Sequence, residues 1–256
     1  EQLMNNYNRL VNNLEEMKLT AMKDNLDHMI EQNAKGEVNF TEGLYQLTQY
    51  QIEEKREKES QWCIQWGAFP HHKYLEDFDF SFQPSINKEE IYGFRNLRYL
   101  EKAENLLFVG SPGVGKTHLA IALGIEAAKQ KQQARFINCN DLLLQLKKAH
   151  LDGNLENKLK IYGRYRLLII DEVGYMPIDQ ESAYLLFQLI NKRYEKHSTI
   201  ITTNKPLSKW GELFNDNVLA NAILDRLVHH SHIISITGRS YRTKDIFPQS
   251  KDEQTK

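Results

Sequence analysis

Apolar residues follow a helical spacing in the first quarter of this chain and form short continuous runs in the rest of it. Near the beginning, Leu10, Leu14 and Met17 recur at intervals of four and three residues, a spacing typical of an amphipathic helix. No strand pattern occurs in this first part. The spacing therefore predicts a small helical domain over residues 1–67, which a linker over residues 68–87 joins to the remainder.

Beyond the linker, short apolar runs alternate with stretches of helical spacing. Polar residues or glycine bound each run, which is typical of a strand buried on both faces. Strands that alternate with helices favour a parallel sheet covered by helices on both sides. We therefore predict an α/β domain over residues 88–247 and a polar tail over residues 248–256. The predicted strands cover residues 106–109, 135–138, 167–170, 198–203 and 232–236, and the predicted helices cover residues 88–101, 116–130, 141–150, 154–163, 180–196, 208–214 and 218–230.

Composition is that of an ordinary globular protein, since 41% of the 256 residues are hydrophobic and 26% are charged. The sequence contains no apolar run of about 18 residues, so we expect no membrane span. Its beginning lacks the pattern of a secretion signal, and its two cysteines, Cys63 and Cys139, are isolated from each other. These features favour a cytoplasmic location.

Charge is distributed unevenly, although the net charge is only −1. The first 67 residues contain seven Lys and Arg against twelve Asp and Glu, so they carry −5 and the remainder carries +4. This excess of positive charge is compatible with a polyanionic partner of the second part, and equally with ordinary solvated surface charge.

The stretch GSPGVGKT, which ends at Thr117, matches the phosphate-binding pattern G-x-x-x-x-G-K-[ST] at every fixed position. Its glycines allow backbone N–H groups to point at an anion, and the helix predicted to begin at Lys116 directs its positive end at the same point. A glycine-rich turn is the alternative, but the strand before the motif and the helix after it favour a nucleoside triphosphate site. We predict that Lys116 binds the outer phosphates and that the Thr117 hydroxyl ligates Mg²⁺. The predicted cofactor-binding residues are Gly110, Ser111, Pro112, Gly113, Val114, Gly115, Lys116, Thr117 and His118.

Two carboxylates follow a second buried strand, in the sequence LLIIDE. Ligands of open α/β sheets bind at the carboxyl ends of the strands, where Asp171 and Glu172 would lie. We predict that Asp171 holds Mg²⁺ and that Glu172 orients or deprotonates the attacking water, with two merely solvated acids as the alternative. Asn204 ends the later strand IITTN, and we expect its amide to bond the γ-phosphate or the attacking water. The acid pair favours hydrolysis over transfer to a second substrate.

Together, GSPGVGKTHLA, LLIIDE, IITTN, ILDRLVHHSHII and GRSYR resemble the AAA+ ATPases of the IstB/DnaC family. The resemblance extends from about residue 8 to residue 245, and YLEDFDFSFQPS and NLEEMKLTAM are more similar to IstB than to DnaC. It implies ATP, Mg²⁺, a five-stranded parallel sheet and assembly of subunits around DNA. By the family's motif, Arg226 would be an arginine finger that reaches a neighbour's ATP, with a local salt bridge to Asp225 as the alternative. The family also lacks the usual C-terminal lid, which leaves Arg239 and Arg242 as candidates for the arginine that such a lid supplies.

The stretch over residues 141–166 is rich in lysine and arginine and carries a net charge of +3. In the family this region lines the inner face of the assembly, so the resemblance implies contact with duplex DNA, although basic helices are commonly just solvated. No helix-turn-helix or zinc-finger spacing occurs, so we expect contacts to phosphates and shape that are independent of base sequence. The predicted DNA-binding residues are Lys147, Lys148, Lys158, Lys160 and Arg164.

The resemblance thus predicts an ATP hydrolase that forms an ATP-dependent homo-oligomer on duplex DNA and assists a DDE-type transposase in DNA transposition. A replicative helicase loader of the DnaC type is a close alternative, in which residues 1–67 would grip the helicase. An alternative of another class is an ATP-gated DNA-binding scaffold with negligible hydrolysis. The presence of Glu172 disfavours this alternative. A small-molecule P-loop kinase is disfavoured because no acceptor-binding lid is visible.

Overall fold

The computed structural model of this chain describes residues 2–243, with side chains from residue 6 onwards. The predicted polar tail and the last residues of the predicted α/β domain lie outside these described residues. The chain divides near residue 62 into two compact units. No helix in the described range combines the length and the apolar character that crossing a bilayer requires.

The first unit is helical, as the apolar spacing predicts. Its described residues form α1 (Gln2–Glu16), α2 (Thr20–Asp24), α3 (Leu26–Ala34) and α4 (Phe40–Trp66), the last of which continues past the boundary between the units. A small apolar core holds these helices together. Its buried residues are Leu14, Leu26, Met29 and Leu47.

Within the described residues, the second unit contains a single five-stranded sheet in which every pair of neighbouring strands is parallel, which confirms the predicted fold class. The order across the sheet is β2-β3-β4-β1-β5. Because β3, β4 and β1 are adjacent, their carboxyl ends lie side by side at one edge of the sheet. The strands are β1 (Asn105–Gly110), β2 (Ala134–Asn138), β3 (Leu167–Val173), β4 (Ser198–Thr203) and β5 (Ser231–Ile236).

Helices cover both faces of this sheet, and side chains that alternate along each strand divide the core in two. In β1, Leu107 belongs to the same apolar cluster as Phe214 on one face, whereas Leu106 belongs to the same cluster as Leu119 on the other. The helices of the described second unit are α5 (Lys88–Gly93), α6 (Arg98–Glu101), α7 (Lys116–Lys129), α8 (Cys139–Leu151), α9 (Leu155–Arg164), α10 (Gln180–Arg193), α11 (Trp210–Phe214) and α12 (Asn217–Val228), with single 3-10 turns at Phe94–Asn96, Leu207–Lys209 and Tyr241–Thr243.

One predicted element is wrong, because residues 88–101 do not form a continuous helix. Asn87 caps α5, as the capping pattern predicts, since its side chain accepts a hydrogen bond from a first-turn N–H. The helix is interrupted at Leu97, whose φ of 58° lies in the left-handed region. Asn96 accounts for the break, because its side chain accepts the N–H of Arg98 and so competes with helical backbone bonding.

The segment over residues 68–87 packs against the core of the second unit. Leu75 is fully buried, and Phe78 and Phe80 lie against the same apolar cluster as α7. None of the described residues of this segment forms a strand. Hydrogen-bonded turns fold the segment, such as the turn closed by the bond from the N–H of Phe78 to the carbonyl oxygen of Leu75. The ring of Phe78 reaches Gly115 of the phosphate-binding loop.

Candidate nucleotide-binding site

A tight loop joins the end of β1 to the start of α7. Gly113 and Gly115 have φ angles of 80° and 101°, in the left-handed region that other residues rarely adopt. At Gly115, a Cβ atom would also lie 2.4 Å from the ring of Phe78. No side chain caps the helix that begins at Lys116, so its first N–H groups can bind an anion.

Lys116 folds back over this loop. Its Nζ atom donates to the carbonyl oxygens of Gly110 and Ser111, at 2.7 Å each. Burial lowers the pKa of Lys116, and the carboxylates of Asp171 and Glu172 oppose that shift. Phosphate oxygens can replace both carbonyl oxygens as partners of Nζ, because they carry charge and are therefore stronger acceptors.

Two hydroxyl groups donate hydrogen bonds to the same carboxylate oxygen of Asp171. Thr117 Oγ1 donates to Oδ1 of Asp171 at 2.9 Å, and Thr202 Oγ1 donates to the same oxygen at 2.5 Å. Burial raises the pKa of Asp171, although both hydrogen bonds oppose the shift. The two residues that we predict to hold Mg²⁺, Thr117 and Asp171, are therefore in contact. Thr202, from β4, is a partner that the sequence analysis missed.

Glu172 has a left-handed backbone conformation, with a φ of 60°. Its N–H donates to Thr202 Oγ1 at 2.9 Å, which stabilises this conformation. Its exposed carboxylate accepts a hydrogen bond on Oε2, at 2.9 Å, from Nδ2 of Asn138 at the end of β2. The sequence analysis missed Asn138 because only the strand order brings it into register with Asp171.

Asn204 follows β4 and lines the same space. Its Oδ1 atom is buried and has no hydrogen-bond partner in the described part of the chain. A buried polar atom without a partner costs about 1–3 kcal/mol. A water molecule that donated to this oxygen would remove that cost, and the attacking water is one of the two partners that we predict for Asn204.

A cavity of about 570 Å³ lies among these residues, a volume within the usual range for small-molecule sites, and Lys116 and Thr117 line it. The strand ends contribute Glu172, Thr202 and Asn204 to its walls, opposite the phosphate-binding loop. The segment that precedes α5 forms a further wall, which we did not predict. The residues of this wall are His71, Lys73, Asp77, Phe78, Asp79 and Gln83.

His118, which we predict to bind the cofactor, lines the cavity and also anchors this wall. Its Nε2 atom lies 2.8 Å from the carbonyl oxygen of Tyr74, and its ring meets Phe78 edge to face at a centroid distance of 5.3 Å. Burial lowers the pKa of His118, which favours the neutral ring. Because a carbonyl oxygen only accepts, Nε2 carries the proton of that neutral ring.

The last described residues close another side of the cavity. The N–H of Tyr241 donates to the carbonyl oxygen of Gly113 at 2.9 Å, which ties the stretch after β5 to the phosphate-binding loop. Arg242 lines the cavity, and its charge contributes to the lowered pKa of Lys116. Arg239 and Arg242 were the two candidates for the arginine that a C-terminal lid supplies. Of these, Arg242 lines the cavity and Arg239 does not.

A family model described as "IstB-like ATP binding protein" matches residues 12–247 of this chain. The chain belongs to this family. It is similar to the "Insertion sequence IS232 putative ATP-binding protein" of Bacillus thuringiensis subsp. berliner, with 50% identity over 98% of this chain and 100% of the relative. It is also similar to the "Insertion sequence IS21 putative ATP-binding protein" of Pseudomonas aeruginosa, with 40% identity over 95% of this chain and 96% of the relative.

Solved structures confirm the AAA+ architecture of this IstB-like protein. It is similar to a crystal structure of the DnaC helicase loader, with 27% identity and a TM-score of 0.53 over 64% of this chain and 96% of that chain. It is also similar to AMPPCP-bound DnaA from Aquifex aeolicus, with a TM-score of 0.57 over 70% of this chain and 55% of that chain. At 20% identity, the second likeness concerns the fold alone.

In this IstB-like protein, Arg226 lies on α12 and does not line the cavity of its own chain. Its Nε atom donates to Oδ1 of Asn191 at 2.8 Å, and Nη1 donates to the carbonyl oxygen of Ala222 at 2.9 Å. Its guanidinium carbon lies 4.8 Å from the ring centre of Phe187. Among the described side chains no ion pair joins Arg226 to Asp225, so Asn191 is its local side-chain partner.

The five basic residues that we predict to bind DNA differ in their surroundings. Nζ of Lys147 lies 2.8 Å from a carboxylate oxygen of Asp179 and 3.9 Å from one of Glu181. Nζ of Lys158 lies 5.5 Å from the ring centre of Tyr162. Because its ion pairs would compete with phosphate, we expect Lys147 to contribute least among the predicted set. The exposed members are Lys148, Lys160 and Arg164.

Proposed function

We propose that this IstB-like protein is an ATP hydrolase that assembles on duplex DNA and assists the transposase of an insertion sequence. The observation that carries the proposal is the contact of Thr117 with Asp171, at 2.9 Å, next to the phosphate-binding loop and Glu172. A phosphate-binding loop, a hydroxyl–carboxylate pair that would hold a metal ion and a carboxylate that would activate water thus lie close together.

The oxygen donors in this cavity fit magnesium. Mg²⁺ is commonly bound through hydroxyl, carboxylate and phosphate oxygens, and Thr117 and Asp171 bring a hydroxyl and a carboxylate together. Bound there with ATP, the ion would neutralise charge on the β- and γ-phosphates. The hydrogen bond from Thr202 keeps the Asp171 carboxylate oriented for this purpose.

The triphosphate would bind the N–H groups of the loop and of the first turn of α7. Lys116 would exchange its two carbonyl partners for phosphate oxygens. Arg242 adds a second cation from the stretch after β5. In this way the chain would supply the arginine that a C-terminal lid supplies in other AAA+ proteins.

Hydrolysis needs a water molecule in line with the γ-phosphate, and Glu172 is the group that would orient or deprotonate it. The bond from Asn138 to one oxygen fixes the direction of the Glu172 carboxylate. Asn204 offers the same water a buried oxygen that has no other partner among the described residues. A scaffold with negligible hydrolysis would need neither group, so this arrangement favours turnover.

Arg226 is bonded to Asn191 outside its own cavity, which favours a role in the site of a neighbouring subunit. An arginine supplied across a subunit boundary stabilises the charge of the transition state, and in other nucleotidases it contributes roughly 10³–10⁵ in rate. Hydrolysis would then depend on the assembly of subunits, as the proposed oligomer requires.

A role in transposition is favoured over helicase loading by the degree of sequence identity. The two insertion-sequence relatives are 50% and 40% identical to this chain, whereas the DnaC helicase loader is 27% identical over the part that matches. The partner would be a DDE-type transposase. The exposed side chains of Lys148, Lys160 and Arg164 would supply contacts to the phosphates of duplex DNA.

Removing the proposed base tests the hydrolytic function. Glu172→Gln should bind ATP like the wild type and lose about 10²–10⁴-fold in kcat, because a general base contributes that much. Lys116→Ala should instead lose ATP binding. Glu101→Gln, which changes an exposed carboxylate outside the cavity, is the matched control and should hydrolyse ATP normally. Wild-type turnover by Glu172→Gln would show that the site is wrongly assigned.

The biological partner is tested with the full chain and the same variants. In the presence of ATP, Glu172→Gln should accumulate in a DNA-bound assembly that electron microscopy can detect, and Lys116→Ala should not. We expect the full chain to retain a DDE-type transposase in a pull-down. Capture of a replicative helicase and not of a transposase would favour the helicase-loader function.

A further inference from the structure

The loops at the amino ends of the strands gather two histidines and a glutamate. Glu195 follows α10 shortly before β4, while His229 and His230 join α12 to β5. They therefore lie at the edge of the sheet opposite to the nucleotide cavity. We propose that Glu195, His229 and His230 bind a divalent transition-metal ion of the zinc class. This site is separate from the proposed magnesium site and does not depend on the proposed function.

The candidate ligand atoms are close enough to share one ion. Oε1 of Glu195 lies 3.8 Å from Nδ1 of His229 and 3.7 Å from Nε2 of His230, and the three ligand atoms lie within 4.8 Å of one another. Zinc binds such atoms at about 2.0–2.2 Å, which corresponds to separations of roughly 3.4 Å at tetrahedral angles. The two Glu195 separations are close to this value, and all three side chains are exposed.

The buried side chain of Asn105 ties the two loops to each other. Its Nδ2 atom donates to the carbonyl oxygen of Leu227 at 3.0 Å, in the last turn of α12, and its Oδ1 atom accepts the N–H of Thr199 at 2.8 Å. The backbone N–H of Asn105 also donates to the carbonyl oxygen of His230 at 2.8 Å. The histidine pair is thereby held at a fixed distance from the start of β4, just after Glu195. Ligands that are held in place before binding lose less conformational entropy when the ion binds.

Local contacts also restrict the ligands themselves. Glu195 lies in a tight turn with a φ of 56°, closed by hydrogen bonds from the N–H groups of Lys196 and His197 to the carbonyl oxygen of Arg193. The hydroxyl of Tyr194 lies 2.7 Å from Nδ1 of the adjacent His229 and also interacts with the Glu195 side chain. An ion that binds Nδ1 of His229 would displace the Tyr194 hydroxyl from that atom. The hydroxyl would then keep the Glu195 carboxylate as its partner.

The donor set determines which ions the site would select. Two imidazole nitrogens and one carboxylate suit Zn²⁺, Co²⁺ or Ni²⁺, whereas Mg²⁺ and Ca²⁺ prefer sets composed of oxygens. The oxygen pair of Thr117 and Asp171, at the other edge of the sheet, has the opposite preference. With three protein ligands, the fourth position of a tetrahedral ion stays open to water.

Zinc binding by the metal-free full-length protein, without nucleotide, tests the proposal. Calorimetric titration with Zn²⁺ should show one ion per wild-type chain and none in His229→Asn/His230→Asn. Glu195→Gln should bind Zn²⁺ at least about tenfold more weakly, since even outer-sphere partners of metal sites contribute that much. His150→Asn, which changes an exposed histidine on α8, is the matched control and should bind Zn²⁺ like the wild type.

Two further measurements separate this site from the nucleotide cavity. Asp171→Asn should leave the Zn²⁺ stoichiometry unchanged, and an excess of Mg²⁺ should not displace the ion. Co²⁺ bound to the wild type should give the intense visible absorption of a tetrahedral ion. Glu195→Gln should lack this absorption, and it should keep the fold intact because the side chain at this position is exposed. Unchanged Zn²⁺ binding by His229→Asn/His230→Asn, or its loss in Asp171→Asn or His150→Asn, would overturn the proposal.

Discussion

Thr202→Val removes a hydroxyl that supports both acids of the candidate site. The Thr202 side chain is fully buried, and its Oγ1 atom donates to Asp171 at 2.5 Å and accepts the N–H of Glu172 at 2.9 Å. Valine keeps a similar shape and removes both hydrogen bonds. Thr203→Val is the matched control, because Thr203 is equally buried but its hydroxyl bonds the backbone of Lys205.

The magnitude follows from the two bonds. A hydrogen bond to a charged group is worth about 1.5–3 kcal/mol, and a buried N–H left without a partner, here that of Glu172, costs about 1–3 kcal/mol. We therefore expect Thr202→Val to lower the free energy of unfolding by about 2.5–6 kcal/mol, against about 1 kcal/mol for Thr203→Val. The bond from Thr202 favours the ionised carboxylate, so its loss should raise the pKa of Asp171 further.

The direction of the pH dependence follows from the same carboxyl group. Burial raises the pKa of Asp171 above its ordinary value, so its ionisation destabilises the folded state. The destabilisation is fully present at pH values above the pKa of Asp171 in the folded state. It decreases as the pH falls below that pKa and is gone below the pKa of the unfolded state. The stability deficit of Thr202→Val should therefore shrink as the pH is lowered, and urea unfolding at a series of pH values measures it.

Activity provides the second readout for Thr202→Val. If Asp171 must be ionised to hold Mg²⁺, the acid limb of the pH profile of ATP hydrolysis should move to higher pH in Thr202→Val. Thr203→Val should leave the acid limb in place. A folded Thr202→Val protein whose acid limb coincides with that of the wild type would refute this account of the site.

Two further predictions concern the neighbouring subunit and DNA. Arg226→Ala should bind ATP normally and hydrolyse it poorly, and mixing it with Lys116→Ala should restore activity because each supplies what the other lacks. Absence of rescue at every mixing ratio would argue for a purely local role of Arg226. For DNA, Lys148→Ala/Lys160→Ala should weaken ATP-dependent binding equally on two unrelated duplexes and reduce the slope of log affinity against log salt by roughly 0.9 per contact. Lys147→Ala should change that slope least, because in the wild type the Lys147 amine is already paired with Asp179. An equal change in Lys147→Ala and in Lys148→Ala/Lys160→Ala would contradict the assignment of Lys148 and Lys160 as the phosphate contacts.

The sequence by itself determined those parts of this protein whose geometry is local. The phosphate-binding loop was predictable because successive residues form its turn, and the helix predicted to begin at Lys116 does begin there. Apolar runs predicted the five described strands. The position of Asp171 and Glu172 at the end of a strand followed directly from their place behind a buried run. In each case, neighbours in the chain set the backbone conformation.

Only the tertiary structure decided which distant residues join the site. Thr202 and Asn138 reach the two acids because β4 and β2 flank β3, an order that no local pattern encodes. Packing of the segment before α5 against α7 makes one wall of the cavity, and contact of the final described turn with the loop brings Arg242 to another. The pairing of Lys147 with Asp179 and the gathering of the proposed zinc ligands have the same origin. Such contacts depend on strand order, register and helix packing, which the chain establishes only as a whole, because they join residues that are far apart in the sequence.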